Sequence, residues 1–184
     1  MRKVNSTYPI DDKEFFVIDK RTSHKELSEF VSNNRDKVIG VMSEAGCPGI
    51  ADPGADVVAL AHKMKIEVFP LVGPSSILLA LIGSGKNGQN FTFNGYLPKE
   101  RGERIKTLKN LERLSRSGIT QIFMETPFRN NHLLEDVLIN CDNNMELCIA
   151  SNINASNEFV KTKKISSWKK NTPDLHKKPT IFVL

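Results

Sequence analysis

Three loops carry the residue types that could do chemistry. Ser43–Gly54 (SEAGCPGIADPG) combines glycines and prolines with the carboxylates of Glu44 and Asp52, Val72–Ser76 (VGPSS) sets two serines at a helix start, and Phe123–Arg129 (FMETPFR) contains Met124 and Glu125. Glycine- and proline-rich turns that open helices expose backbone N–H groups to a polar or anionic ligand. By location Glu44, Asp52 and Glu125 are candidates for a general base, and none is singled out: each has a structural use in loop hydrogen bonding, helix capping or dipole compensation. Neither glycine loop has dinucleotide-fingerprint or phosphate-loop spacing. Cys47, Cys141 and Cys148 lack metal-ligand pair spacing, and His24, His62, His132 and His176 are scattered, so no metal site is expected.

The elements that must position these loops read as alternating strands and helices. Val38–Met42 is an apolar, β-branched run suited to a strand buried on both faces. Asp52 is placed to cap the following helix, Pro53 suits its first turn, and Val57, Leu60, Ala61 and Met64 recur on one helical face. Ile66–Val72 then reads as a strand, Gly73 and Pro74 as a turn, and Ser75 or Ser76 as the cap of the apolar helix Ile77–Ile82. This βαβ order predicts parallel pairing, with both loops at the carboxyl edge of one sheet. Upstream, Phe15–Asp19 is a further expected strand, and Ser23 with Glu26 forms a capping-box pattern.

Gly83–Asn90 (GSGKNGQN) reads as a linker, dividing the chain into residues 1–83 and 91–184. In the second part, Phe91–Leu97 is an expected strand. A helix follows with Ile105, Leu108, Leu111 and Leu114 inward and Arg104, Lys106, Lys109 and Arg113 outward. Thr120–Met124 is a strand, and Thr126 and Pro127 start a helix. Glu146–Ser151, Glu158–Thr162 and Thr180–Leu184 are strands with no helix-length segment between them, so this sheet should mix parallel and antiparallel pairs.

The 184 residues, 39% of them hydrophobic, carry a net charge of +5. No run is long enough to span a bilayer and the N-terminal residues have no signal-peptide core, so a cytoplasmic protein is expected. Lysines gather between Lys161 and Lys178 and, with Arg101, Arg104 and Arg113, would suit phosphate contacts; solvated lysines explain them equally well. Trp168 is expected as a packed anchor, with base stacking the less favoured role for it and for Tyr96.

The three loops, in this order and spacing, resemble the tetrapyrrole methylase family over roughly Phe15–Leu184. The resemblance implies two α/β domains: a parallel-sheet N-terminal domain, incomplete here, and a mixed-sheet C-terminal domain. It implies an S-adenosylmethionine-dependent methyltransferase that dimerises, with the cofactor between its domains. Within the family the chain is most similar to the branch that methylates a ribose 2′-hydroxyl of small-subunit ribosomal RNA. By residue, it implies cofactor contacts from Ala45, Gly46 and Cys47 through backbone groups, from Ser75 and Ser76 through hydroxyls and helix-start N–H groups, and from Met124, Glu125 and Ala150. Family members carry further strands before the position of Phe15, so the first domain is expected to lack pairing partners and expose strand edges. Ala150–Phe159 (ASNINASNEF) is neutral at Ser151, Asn152 and Asn154, where that branch is charged. A small-molecule acceptor and a non-catalytic binding module are the alternatives.

Overall fold

A computed structural model describes residues 12–19, 21–43 and 46–184 of the chain. It divides into two compact units, residues 1–73 and 74–184.

In the first unit, helix α1 (His24–Asn33) opens on the expected capping box: Ser23 Oγ accepts from Glu26 N–H at 3.2 Å, and Glu26 Oε2 accepts from Ser23 N–H at 2.8 Å. Helix α2 (Ala55–Lys63) begins later than expected, with Gly54 rather than Asp52 at its N-cap and no side-chain cap. Gly54 has φ 142°, and a Cβ there would lie 3.1 Å from Gly49 N and 3.3 Å from Val41 Cγ1, so glycine makes the turn that Asp52 was expected to cap. Leu27 and Val31 of α1 pack with Val57 and Leu60 of α2, and Phe16, Ile18, Val41 and Ile66 close over them. Phe16 stacks on Phe30 at 4.4 Å.

Among the described residues this unit contains no strand. Of the segments expected as strands, Phe15–Asp19, Val38–Met42 and Ile66–Val72, the first two alternate in burial: Phe16, Ile18 and Val41 point inward while Phe15, Val17, Val38 and Met42 are exposed. Val38–Met42 is therefore not buried on both faces, and Phe69, Leu71 and Val72 are exposed as well. A strand is defined by its ladder, and these segments have no ladder partner among the described residues.

The second unit is a three-layer α/β body. Its sheet has the order β1-β2-β5-β3-β4, formed by β1 (Phe91–Tyr96), β2 (Thr120–Met124), β3 (Glu146–Ser151), β4 (Phe159–Lys164) and β5 (Thr180–Val183). β1 pairs parallel with β2, while β5 runs antiparallel to both β2 and β3, and β3 antiparallel to β4. The sheet is therefore mixed, as expected.

Phe123, Leu147, Ile149 and Phe182 face α4 (Arg101–Arg116), α5 (Asn130–Asn140) and α6 (Ile165–Lys170), where Trp168 is fully buried and donates to Leu147 O at 2.9 Å. Trp168 is thus a packed anchor. Helix α6 is too short to show periodicity and was not expected from the sequence.

Ile122, Cys148, Ala150, Ile181 and Val183 line the opposite face, beneath α3 (Ser76–Ser84). This helix lies on the second unit's sheet instead of completing a βαβ connection in the first, and the division falls at residues 73 and 74 rather than in Gly83–Asn90. Gly83 explains the reading: it belongs to α3, and a Cβ there would lie 2.8 Å from Val160 Cγ1, so this glycine permits close helix-on-sheet packing rather than a loose linker. Thr162 Oγ1 donates to Ser84 O at 2.7 Å at the same contact.

Candidate functional site

The carboxyl ends of β1, β2 and β3 meet at one edge of the second unit's sheet. Pairing register draws a row across all five strands, Tyr96–Met124–Ile181–Ala150–Val160. Met124 and Ala150 both pair with Ile181, from opposite sides, which separates them by two strand spacings, roughly 9–10 Å. Both belong to the face covered by α3, Ala150 buried and Met124 partly so. Ile77, the residue after Ser76, packs against the same cluster. Ser75 is the buried N-cap of α3, its Oγ accepting from Leu78 N–H at 3.5 Å, and Ser76 is the exposed first residue of the helix.

Glu125 follows β2 at this edge and is buried. Its Oε1 accepts from Thr126 N–H at 2.6 Å and from Arg129 Nη2 at 2.5 Å. These bonds fold Thr126–Arg129 into a turn, closed by Arg129 N–H donating to Thr126 O, and they delay the start of α5 to Asn130. Both bonds fall on Oε1 and tie the carboxylate to a cation and to the turn's backbone, which sets Glu125 up as a loop anchor. Arg129 was in the sequence motif but had no assigned role; its spacing of four from Glu125 was the signal for the pair. Two buried polar atoms here, Arg129 Nε and Asn130 Oδ1, have no hydrogen-bond partner among the described residues. Such atoms require water or a ligand.

In the first unit, Gly46 has φ 75°, and a Cβ at Gly46 or Gly73 would meet nothing within 4 Å. A ligand can approach the backbone closely at both places. Cys47 is half-buried, and its carbonyl accepts from Ile50 N–H at 3.3 Å. Ala45 and Glu44 lie outside the described residues. Asp52 lines a cavity of about 1110 Å³ between Phe15–Asp19 and Val38–Ser43.

The basic face expected on α4 is largely committed to acids. Arg104, only 12% exposed in its side chain, binds Asp136 Oδ2 through Nη2 at 2.6 Å and Nε at 2.8 Å, and Arg101 takes Oδ1 at 2.9 Å. Lys106 pairs with Glu103, Lys109 with Glu112, and Arg116 with Glu112 and Asp142. Arg104 is therefore structural and not a phosphate ligand.

Among the described residues no acidic, histidine or cysteine cluster could hold a metal, and no helix is long and apolar enough to cross a membrane.

The fold is similar to that of a solved structure: the crystal structure of the methyltransferase CobJ matches with a TM-score of 0.59, covering 90% of this chain and 72% of that one at 15% identity. No protein-family model matches the chain. Proteins named ribosomal RNA small subunit methyltransferase I are similar in sequence. The one from Buchnera aphidicola (subsp. Schizaphis graminum) is 31% identical over 94% of this chain and 61% of its own length. The one from Halalkalibacterium halodurans is 36% identical over 65% of this chain and 40% of its own. A third, from Buchnera aphidicola (subsp. Acyrthosiphon pisum), is 28% identical over 90% and 58% respectively. These likenesses support the resemblance to the tetrapyrrole methylase family drawn from the three loops. The chain spans between two fifths and about three fifths of the length of these relatives.

Proposed function

We propose that the protein is an S-adenosylmethionine-dependent methyltransferase acting on a ribose 2′-hydroxyl of small-subunit ribosomal RNA, working in the cytoplasm as a homodimer. The observation that carries this reading is the similarity over 94% of the chain to a protein named for that RNA, together with a second unit whose carboxyl edge presents Met124 and Ala150 on the ends of β2 and β3, one on each side of β5.

The residues fit the cofactor. Gly46 and Gly73 leave open space against the backbone, and Arg129 Nε and Asn130 Oδ1 are buried donor and acceptor atoms in need of partners. Ala45, Gly46 and Cys47 would contact it through backbone groups, and Ser75 and Ser76 through the start of α3. Met124, Glu125 and Ala150 would border it from the strand ends. Bound S-adenosylmethionine supplies a methyl group already activated by its sulfonium.

What the chain contributes is alignment and exclusion of water, which dominate such a transfer. Met124, partly buried, would offer an apolar contact, and Ala150, buried in the same cluster, backs it. Glu125 fixes the Thr126–Arg129 turn, so that the Arg129 guanidinium keeps a set position. Asp52, half-buried, is the described carboxylate that remains a candidate general base.

Transfer of a tritiated methyl group to small ribosomal subunits from cells lacking the gene tests this reading. Label in a ribose of the RNA is expected, and label on neither RNA nor subunit overturns it. A second reading, a small-molecule acceptor, is favoured by the neutral loop after β3, where Asn152 and Asn154 hold φ 52° and 66° and Asn154 N–H is held by Glu158 Oε2 at 2.6 Å. Turnover of a metabolite without RNA labelling would select it.

A further inference from the structure

The carboxyl edge of the sheet also presents a ring that is exposed and yet firmly held. Phe128 is 64% exposed. Its turn is tied to the segment preceding β5 by Lys177 N–H donating to Pro127 O at 3.0 Å and Asn130 Nδ2 donating to Lys178 O at 2.6 Å. Asn131 grips the same segment, its Oδ1 accepting from Leu175 N–H at 2.8 Å and its Nδ2 donating to Asp174 Oδ1 at 2.7 Å. Asp174 Oδ1 also accepts from His176 N–H at 3.0 Å.

This scaffold sets the His176 ring edge-on to Phe128, with centroids 6.0 Å apart at 75°, and Lys177 Nζ 6.0 Å from the Phe128 centroid. Lys177 is held at φ 57°, a left-handed conformation that an L residue adopts at a cost. Among the described residues Lys177 forms no ion pair with a carboxylate. An aromatic face bordered by a lysine ammonium and an imidazole is the combination that binds unpaired nucleotides, the ring stacking on a base while the ammonium and the imidazole N–H meet the phosphates. A protein-binding hot spot would instead need apolar neighbours around the ring.

We propose that Phe128 is a stacking platform for an unpaired base of an RNA ligand, with Lys177 and His176 meeting the adjoining phosphates. The proposal rests on the RNA reading above and gives it a recognition surface on the second unit. Sequence alone did not single out Phe128, because its partners lie in a separate segment.

The test is fluorescence anisotropy of an end-labelled, unstructured single-stranded RNA with the full chain, alongside calorimetry of S-adenosylmethionine and sedimentation of each variant. Phe128→Ala is expected to weaken RNA binding about five- to hundredfold, and Phe128→Trp to retain it. Lys177→Ala is expected to lower the salt dependence by about one phosphate contact. Cofactor affinity should stay the same in all three. Unchanged RNA affinity in Phe128→Ala, with the unaltered chain binding RNA, overturns the platform and leaves the RNA reading standing. An unaltered chain that binds no RNA overturns both. A Phe128→Ala variant that loses self-association while keeping RNA affinity assigns the ring to a protein contact and overturns the platform. Equal loss of cofactor and RNA binding assigns the ring to the cofactor site and likewise overturns it.

Discussion

Glu125 Oε1 and Arg129 Nη2 lie 2.5 Å apart, an ion pair across the turn that ends β2, with the carboxylate buried and the guanidinium about one-third exposed. Because the same oxygen accepts from Thr126 N–H, one side chain sets the backbone of the turn and the position of the cation. Glu125→Ala should therefore cost about 2 kcal/mol in urea unfolding, as for other hydrogen bonds to charged groups, and weaken S-adenosylmethionine binding. Unchanged stability would show the pair to be idle.

Asp136 is the buried hub of the second unit's surface pairs, held by both Arg101 and Arg104. Arg104→Ala strips its bidentate partner and should destabilise the fold by about 3 kcal/mol. Arg113→Ala, which loses a bond to the Asn110 side chain, should stay within about 0.5 kcal/mol of the parent. Equal unfolding midpoints for the two variants would contradict this division of the α4 cations.

Gly83 is predicted to reject larger residues. Gly83→Leu would drive a side chain into Val160 and should cost about 2 kcal/mol by overpacking. The urea midpoint of that variant, compared with Gly85→Leu, separates crowding from backbone effects: Gly85 has open space but φ 72°, so its penalty is purely conformational.

Burial pushes the Cys141 thiol up from 9.0 to about 11 and raises that of Cys148 in the same direction. A raised folded value means that the fold favours the protonated thiol. Its stabilising contribution is complete below about pH 9 and is lost as pH rises through about 11. Iodoacetamide at pH 8 should leave Cys141 and Cys148 unmodified in the native protein and alkylate the half-buried Cys47. Alkylation of Cys141 at the rate of the unfolded chain would contradict this.

Much of the second unit was legible in the sequence because its signals are local. β2 and β3 fall at the expected residues, the inward stripe of α4 holds, and the antiparallel β3–β4 pair follows from strands joined without a helix, whereas β4 and β5 are joined through α6. What was not legible depended on distant partners. Gly83 looks like a linker glycine until Val160 is placed beneath it, and Arg104 looks solvated until Asp136 arrives from α5. In the first unit Phe15–Asp19 was read as a strand and its side chains do alternate in burial, yet alternation cannot supply a ladder partner. Of the candidate site residues, Met124 and Ala150 are joined through Ile181, while Glu125 is engaged as an anchor.

The central claim is that these residues hold S-adenosylmethionine. Titration calorimetry of S-adenosylmethionine, and of its demethylated product, into the protein tests it most directly. The account predicts saturable binding of both, weakened by Gly46→Trp with the second unit's unfolding transition unchanged. Absence of binding, or equal affinity in Gly46→Trp, would contradict it.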